Sequence, residues 1–148
     1  EPDLNHAFSQ QSYFAMYNAT AHAVKSVSPK FSVGGPATAD MRWLPDLANY
    51  SRHIAAPLDF LSLHSYPSDH GKAAETDAQF MFVDRAAKQA RSLGLPLYIT
   101  EWSSSPSPRD SYHDTSDTAA YIIASVASLR NSQLSSYSYW TFSDVFAE

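Results

Sequence analysis

The sequence predicts an α/β fold, and the spacing of its apolar segments carries that prediction. Four short apolar runs centred near residues 32, 62, 98 and 139 indicate strands, and each gap between them, roughly 30 to 41 residues, has room for one helix. This rhythm is typical of repeated βα units and a parallel sheet. It fits an open doubly wound sheet and a (β/α)8 barrel alike. Polar residues at the strand ends favour the barrel, although open sheets also bind ligands there.

The first unit begins with a helix. Apolar residues at spacings of three and four predict one buried face on a helix from Gln10 to Val27, which Pro29 ends. That face consists of Phe14, Tyr17, Ala21 and Val24. Residues 31–33 then indicate a short strand, and residues 34–36 a turn, because glycine permits backbone angles that other residues resist.

The next two units follow the same plan. A helix over residues 41–54, with Asp40 as its N-cap, precedes a strand over 60–64. A third helix over 77–93 stops at Gly94, and a strand over 97–100 follows. The predicted buried stripe of the third helix is Phe80, Val83, Ala87 and Ala90.

The last unit follows a loop rich in serine and proline. Asp114 is predicted to cap a helix, and a strand over residues 136–142 follows that helix. The predicted apolar stripe of this helix is Ala119, Ile122, Val126 and Leu129.

Composition narrows the classes of function. The 148 residues are 44% apolar and 14% aromatic, which indicates one globular domain rather than a disordered chain. A net charge of -5 leaves no basic surface for nucleic acid, and no apolar stretch is long enough to enter a membrane. The absence of cysteine excludes disulfides and thiolate metal sites. Sugars or small neutral substrates fit such a chain better.

Two glutamates are candidates for a catalytic carboxylate pair. Glu101 ends an apolar run beside Trp102, and Glu1 opens the chain. Glycoside hydrolysis usually needs two carboxyl groups, one to protonate the departing oxygen and one to attack or to activate water. Most glutamates near strand ends are solvated loop residues, so the pattern alone leaves both interpretations open.

Aromatic and imidazole side chains near the strand ends are candidate sugar contacts. His64 and Tyr66 lie two residues apart on an extended segment, so both can hydrogen-bond a sugar hydroxyl or orient a carboxylate. A structural role explains them equally well. Trp140 and Trp102 can stack on a pyranose or pack in a core. No HExxH, phosphate loop or nucleophile elbow occurs, and carboxylate chemistry needs neither a metal nor a cofactor, so none is expected.

Seven motifs occur in order along the chain: EPDL at 1–4, QSYF at 11–14, VGGPAT at 33–38, DFLSLHSYP at 59–67, ITEW at 99–102, HDT at 113–115 and SYWTFSDVF at 138–146. Together they strongly resemble glycoside hydrolase family 39, which contains β-xylosidases and α-L-iduronidases. The resemblance implies a (β/α)8 barrel in which an Asn-Glu-Pro motif ends strand four with the acid/base and a Thr-Glu motif ends strand seven with the nucleophile. Glu1 matches the acid/base, and Glu101 matches the nucleophile.

The same resemblance makes the four predicted strands numbers five to eight of a barrel. Residues 1–148 are then expected to be a fragment of a single catalytic domain that lacks its N-terminal half. A barrel of about 250 residues cannot close with half its units, so we expect the fragment alone to be inactive and prone to self-association.

The resemblance also extends to the sugar pocket and to the stereochemistry. His64, Tyr66, Trp140 and Glu148 resemble pocket positions, and the family implies a retaining mechanism with carboxyl groups about 5 to 5.5 Å apart. The β-xylosidase motif has two acidic residues where this chain has Ala147 and Glu148, which leaves an α-L-iduronidase-type specificity open beside β-xylosidase. Outside the enzymes, a non-catalytic carbohydrate-binding or assembly half-barrel is the alternative. In each case the expected partner is an oligosaccharide or glycoside.

Overall fold

The computed structural model describes residues 1–4, 8–70, 76–107 and 111–141, and in them strands and helices alternate. Each strand is followed by a helix before the next strand begins. In chain order the elements are α1 (Gln10–Val27), β1 (Gly34–Thr38), α2 (Trp43–Ile54), β2 (Phe60–Ser65), a 3-10 turn (Pro67–His70), α3 (Thr76–Ser92), β3 (Leu97–Trp102), α4 (Ser116–Leu129) and β4 (Ser136–Tyr139).

The four strands form one parallel sheet in the order β1-β2-β3-β4. Sequential parallel neighbours joined by helices confirm the predicted α/β class with a parallel sheet. The register between β2 and β3 is regular from Leu61 to Leu63 and shifts before His64, which pairs with Glu101. Parallel strands present their carboxyl ends at one edge, so the shifted segment lies where ligands bind in such folds.

The hydrophobic core lies between the helices and one face of the sheet. Alternate residues of β2 and β3 point into it, as the two-residue period of a strand requires. Side chains in this layer that are less than 2% exposed include Leu44, Leu47, Leu61, Leu63, Val83 and Ile99. The predicted face of α1 is confirmed at Phe14, Tyr17 and Ala21.

The prediction for the first strand is wrong. Residues 34–36, predicted to be a turn, lie in β1, whereas Phe31 is exposed and lies outside any strand. A Cβ atom at Gly34 would overlap the ring and carbonyl oxygen of Phe60 on β2. Glycine here permits a close approach of strand and side chain rather than a chain reversal.

The predicted buried face of α4 is confirmed at Leu129 and is otherwise wrong by one residue. Its buried residues are Thr118, Tyr121, Ser125 and Leu129. Ala119 is exposed and Val126 keeps 39% of its surface accessible. The buried positions are largely polar and two of them make hydrogen bonds inside the protein, so a search for apolar residues alone chose the neighbouring stripe.

Smaller corrections concern the ends of elements. The helix predicted over residues 41–54 begins at Trp43, and Asp40 accepts the Arg42 amide (2.7 Å) in the turn before it. Thr115 rather than Asp114 caps α4. Strand β3 continues through Glu101 to Trp102, beyond the predicted end. None of the helices in the described residues has the length and hydropathy needed to cross a membrane.

Candidate active site

Glu101 lies in the last part of β3, where its carboxylate meets side chains from β2. The Tyr66 hydroxyl, one residue past β2, donates a hydrogen bond to Glu101 Oε1. Burial raises the pKa of Tyr66, and the hydrogen bond and negative charge of Glu101 raise it further. Tyr66 therefore remains a neutral hydrogen-bond donor at pH values well above the ordinary tyrosine pKa. It orients one oxygen of the Glu101 carboxylate.

Glu1 reaches the same place because its loop is anchored to the carboxyl end of β1. The carboxylate of Asp3 accepts the backbone amides of Ala39 (3.1 Å) and Asp40 (3.0 Å), and the Leu4 amide closes a turn onto the Glu1 carbonyl (3.1 Å). Asp3 was not predicted to be a functional residue, because the two amides that its carboxylate binds lie 36 and 37 residues away along the chain.

His64, on β2, lies between the two glutamates. Its Nδ1 atom is 3.1 Å from Glu1 Oε1 and 3.7 Å from Glu101 Oε2. When Nδ1 carries the proton, His64 donates a hydrogen bond to Glu1. Glu101 then lies close to the imidazole ring but beyond hydrogen-bond distance. The structure thus brings together four of the six predicted site residues, namely Glu1, His64, Tyr66 and Glu101.

One carboxylate oxygen of Glu1, one of Glu101 and a ring nitrogen of His64 all lie within 4.8 Å of one another. This spacing is short enough for one small group to contact both carboxylates. It is also compatible with a single metal ion, since histidine and carboxylate are common ligands. Each carboxylate nevertheless already has a hydrogen-bond partner within the site, Tyr66 for Glu101 and His64 for Glu1.

The two tryptophans differ in their exposure. Trp102 is 2% exposed and packs against Tyr121, Tyr137 and Tyr139, so it belongs to the core and cannot stack on a ligand. Trp140 is 44% exposed, and its amide donates to the Trp102 carbonyl (2.9 Å). Among the described residues, no hydrogen bond joins its indole to either carboxylate. Glu148 lies outside the described residues.

Ser103 and His113 form a contact that the sequence did not reveal. Ser103 Oγ lies 3.2 Å from His113 Nε2. Ser103 is fully buried, and its hydroxyl also donates to the Tyr139 oxygen (3.4 Å). A hydroxyl enclosed in this way supports the chain beside Glu101 and cannot attack a substrate.

A separate cavity of about 350 Å³ lies at the opposite ends of the strands. It is lined by residues of α2 and of the segment before β3, and it contains no carboxylate. Its largest side chains are those of Arg52, Leu58, Leu93 and Leu95. Because acid/base chemistry requires ionisable groups that converge, the cluster around Glu101 and not this cavity is the candidate active site.

A parallel βα sheet whose carboxyl edge holds two facing carboxylates is an arrangement that glycoside hydrolases use. The profile of the family described as "Glycosyl hydrolases family 39" matches residues 1–148, and the chain belongs to that family. The resemblance noted in the sequence is therefore confirmed at the level of the family.

Two relatives and one solved structure give the extent of the similarity. The chain is 37% identical to a β-xylosidase of Caldicellulosiruptor saccharolyticus, over all of this chain and 33% of that protein. It is 40% identical to a β-xylosidase of Geobacillus stearothermophilus, over 95% of this chain and 31% of that protein. It also superposes on a family 39 β-xylosidase from Caulobacter crescentus with a TM-score of 0.84 and 37% identity, covering all of this chain and 32% of the other. The chain thus spans about a third of the length of these relatives.

Proposed function

We propose that this chain carries the catalytic pair of a retaining glycoside hydrolase of the β-xylosidase type. The observation that carries the proposal is the approach of the Glu1 and Glu101 carboxylate oxygens to within 4.8 Å. Retaining enzymes hold their carboxyl groups about 5 to 5.5 Å apart, whereas inverting enzymes leave about 6.5 to 9.5 Å for a water molecule. One oxygen of each carboxylate lies within 4.8 Å of the other, and so close an approach favours direct attack by one carboxylate over attack by an intervening water molecule.

In the first step, Glu101 attacks the anomeric carbon while Glu1 gives a proton to the departing glycosidic oxygen. The bond to the leaving group breaks as the Glu101 ester forms. In the second step, Glu1, now a carboxylate, removes a proton from water, and the resulting attack releases the sugar and restores Glu101. The proton that Glu1 lost in the first step is thereby replaced, and no further reagent is consumed.

Tyr66 and His64 support this chemistry through the atoms they contact. Tyr66 holds one oxygen of Glu101, which leaves the other oxygen to act as the nucleophile. His64 Nδ1 contacts Glu1 Oε1 (3.1 Å) and lies between the two carboxylates, so it is placed to contact a sugar hydroxyl as well. Trp140 and Glu148 remain proposed sugar contacts on the strength of the family motifs.

We further propose that β1 to β4 are strands five to eight of a (β/α)8 barrel and that residues 1–148 are part of one catalytic domain. In the described residues, β1 and β4 each pair with one neighbour and present a second edge that another strand can join. The inner face of the sheet, where Phe60 stacks on Tyr98 with ring centroids 4.5 Å apart, would then meet the opposite wall of the barrel. Alone, this face would promote self-association and leave the sugar pocket open.

The test is hydrolysis of an aryl β-xyloside by the complete polypeptide that the gene encodes, followed by nuclear magnetic resonance of the first product. We expect the β-anomer of the sugar to appear first and Glu101→Gln to abolish its formation. The 148-residue chain assayed alone is expected to be inactive. Turnover by that chain that Glu101→Gln abolishes would show that the remainder of the barrel is not needed.

A panel of aryl glycosides separates the alternatives. Cleavage of the xyloside in preference to the α-L-iduronide supports the β-xylosidase type, and the reverse order supports an iduronidase. Sugar binding without cleavage of any substrate in the panel would instead favour a carbohydrate-binding module. The first outcome is expected because both relatives described above are β-xylosidases.

A further inference from the structure

Two buried side chains behind the candidate site connect the end of β2 to the end of β3. Gln79, on α3, is 3% exposed, and its Nε2 atom donates to the Ser65 carbonyl (2.8 Å). Tyr121, on α4, is 6% exposed, and its hydroxyl donates to Gln79 Oε1 (2.7 Å) and to the Ser103 carbonyl (3.0 Å). The single phenolic proton is shared between these two acceptors. We call the pair Gln79 and Tyr121 the polar bridge.

The two carbonyls that the polar bridge holds belong to the segments that carry the candidate site. Ser65 lies between His64 and Tyr66, and Ser103 follows Glu101 by two residues. The backbone ladder between β2 and β3 ends at the pairing of Ser65 with Trp102, after a shift in register before His64. The bridge therefore joins the two strands at the last pair of the ladder, beyond which no backbone pairing sets their separation.

We propose that Gln79 and Tyr121 are positioning residues that fix the distance between Tyr66 and Glu101 for hydrolysis. This inference rests on the proposed function, because it assigns the bridge a role in that reaction. Neither side chain contacts the carboxylates, so each acts through the backbone of the strand end that it holds. A displacement of about 1 Å in a catalytic group can lower a rate by about 100-fold, so a loose strand end is costly to catalysis.

The bridge is chemically suited to constant positioning. Burial raises the pKa of Tyr121, so the phenol keeps its proton over the range in which carboxylate-based hydrolysis operates. A glutamine side chain satisfies one donor and one acceptor at once without introducing a charge. Most polar groups at such depth are hydrogen-bonded, and the polar side-chain atoms of Gln79 and Tyr121 all have partners.

The experiment compares matched variants of the complete polypeptide in hydrolysis of an aryl β-xyloside. Tyr121→Phe removes the hydroxyl and keeps the ring, while Gln79→Met removes both polar atoms at nearly constant volume. The first control is Tyr50→Phe, whose hydroxyl makes no hydrogen bond among the described residues. The second is Gln89→Met, on the same helix as Gln79 but in its last turns, away from the carboxyl ends of β2 and β3. Thermal unfolding of each variant is followed separately, so that kcat is compared on folded protein.

We expect both bridge variants to lower kcat by about 10- to 100-fold, with KM within about threefold of the unsubstituted protein, because the displaced groups act on the transition state. The controls should stay within about twofold in kcat. A further variant, Gln79→Glu, sharpens the result. The introduced carboxyl can donate to the Ser65 carbonyl only when protonated, so its kcat relative to the unsubstituted protein should rise as pH falls.

Each outcome decides between positioning and simple stabilisation. Bridge variants that unfold at lower temperature but match their controls in kcat would overturn the inference. If Gln79→Met does not fold, Tyr121→Phe, which loses a single oxygen atom, carries the comparison together with Gln79→Glu. An unsubstituted polypeptide that cleaves no aryl glycoside would contradict the proposed function instead, and that result is visible before any bridge variant is made.

Discussion

Carboxylates have opposite surroundings at the two ends of strands β2 and β3. At the amino end, Asp59 receives a Lys25 ammonium group (2.7 Å) and the Val33 amide (2.8 Å) on the same oxygen. At the carboxyl end, Glu1 and Glu101 approach each other, and their described donors are an imidazole and a phenol. The first arrangement neutralises a charge, whereas the second brings two carboxyl groups together. Two close carboxyl groups repel each other when both are ionised, and such pairs are typical of sites that are kept for their chemistry.

The pKa shifts at the two ends of the strands support the same contrast. The hydrogen bond from Lys25 lowers the pKa of Asp59 and outweighs the opposing effect of burial. At the other end, burial and the neighbouring Glu101 raise the pKa of Tyr66. One end thus holds a stable ion pair, and the other holds a neutral donor against a carboxylate. The difference implies that substitutions at the two ends should affect different measurements.

After Glu101→Gln, which should abolish turnover, Glu1→Gln should give the largest effect at the carboxyl end. General acid catalysis contributes about 10² to 10⁴ in rate, so kcat/KM for xylosides with poor leaving groups should fall by that factor. Xylosides whose leaving groups need no proton should show little change in kcat/KM, which reports the first step. The matched control is Asp59→Asn, the same chemical change at the amino end, which should leave both classes of substrate unaffected. Equal losses for both classes would argue against Glu1 as the acid.

Tyr66→Phe should have the next largest effect. A hydrogen bond to a charged group contributes about 1.5 to 3 kcal/mol, which corresponds to a fall in kcat of about 10- to 100-fold. The measurement is kcat on an aryl β-xyloside beside Tyr50→Phe, where the same oxygen is removed far from Glu101. An unchanged kcat for Tyr66→Phe would show that Glu101 does not depend on this donor.

The contrast between the two ends was only partly predictable from sequence. Helical spacing predicted α1 from Gln10 to Val27, and those are its bounds. Local patterns succeed there because one apolar face packs on the sheet. They failed at residues 34–36, where glycine serves a close contact with Phe60 that lies 26 residues away along the chain, and no local rule reports such a contact.

Prediction of the candidate site from the sequence met the same limit. Motif resemblance selected Glu1, His64, Tyr66 and Glu101, which the structure brings together. Asp3, Gln79 and Tyr121 were not selected, because each acts through backbone groups of a distant segment. On α4, the polar residues Thr118 and Tyr121 face inward, since their hydrogen-bond partners lie there. A pattern of hydrophobicity cannot identify a buried residue whose burial depends on such partners.

Asp59→Asn should give a small effect, and on stability alone. Because the pair is partly exposed, we expect the free energy of unfolding to fall by about 1 kcal/mol or less, as measured by urea denaturation. The pKa of Asp59 is lowered by folding, so its contribution is present above the unfolded value of 3.8 and is lost as pH falls through the folded value. The difference between the two proteins should therefore vanish in acid. Asp84→Asn, which removes the more exposed pair with Lys88, is the control and should change stability less.

Removal of divalent metal should have the smallest effect. We expect a chelator to leave kcat/KM unchanged, because proton transfer by Glu1 and attack by Glu101 need no cation. The ligand atoms of Glu1, His64 and Glu101 lie close enough to hold one ion, so added zinc should inhibit by competing with substrate. Activity that a chelator abolishes and zinc restores would reverse this interpretation. Glu1 and Glu101 would then be metal ligands whose charge a cation balances. Carboxylates at both ends of the strands would in that case be neutralised by a positive charge.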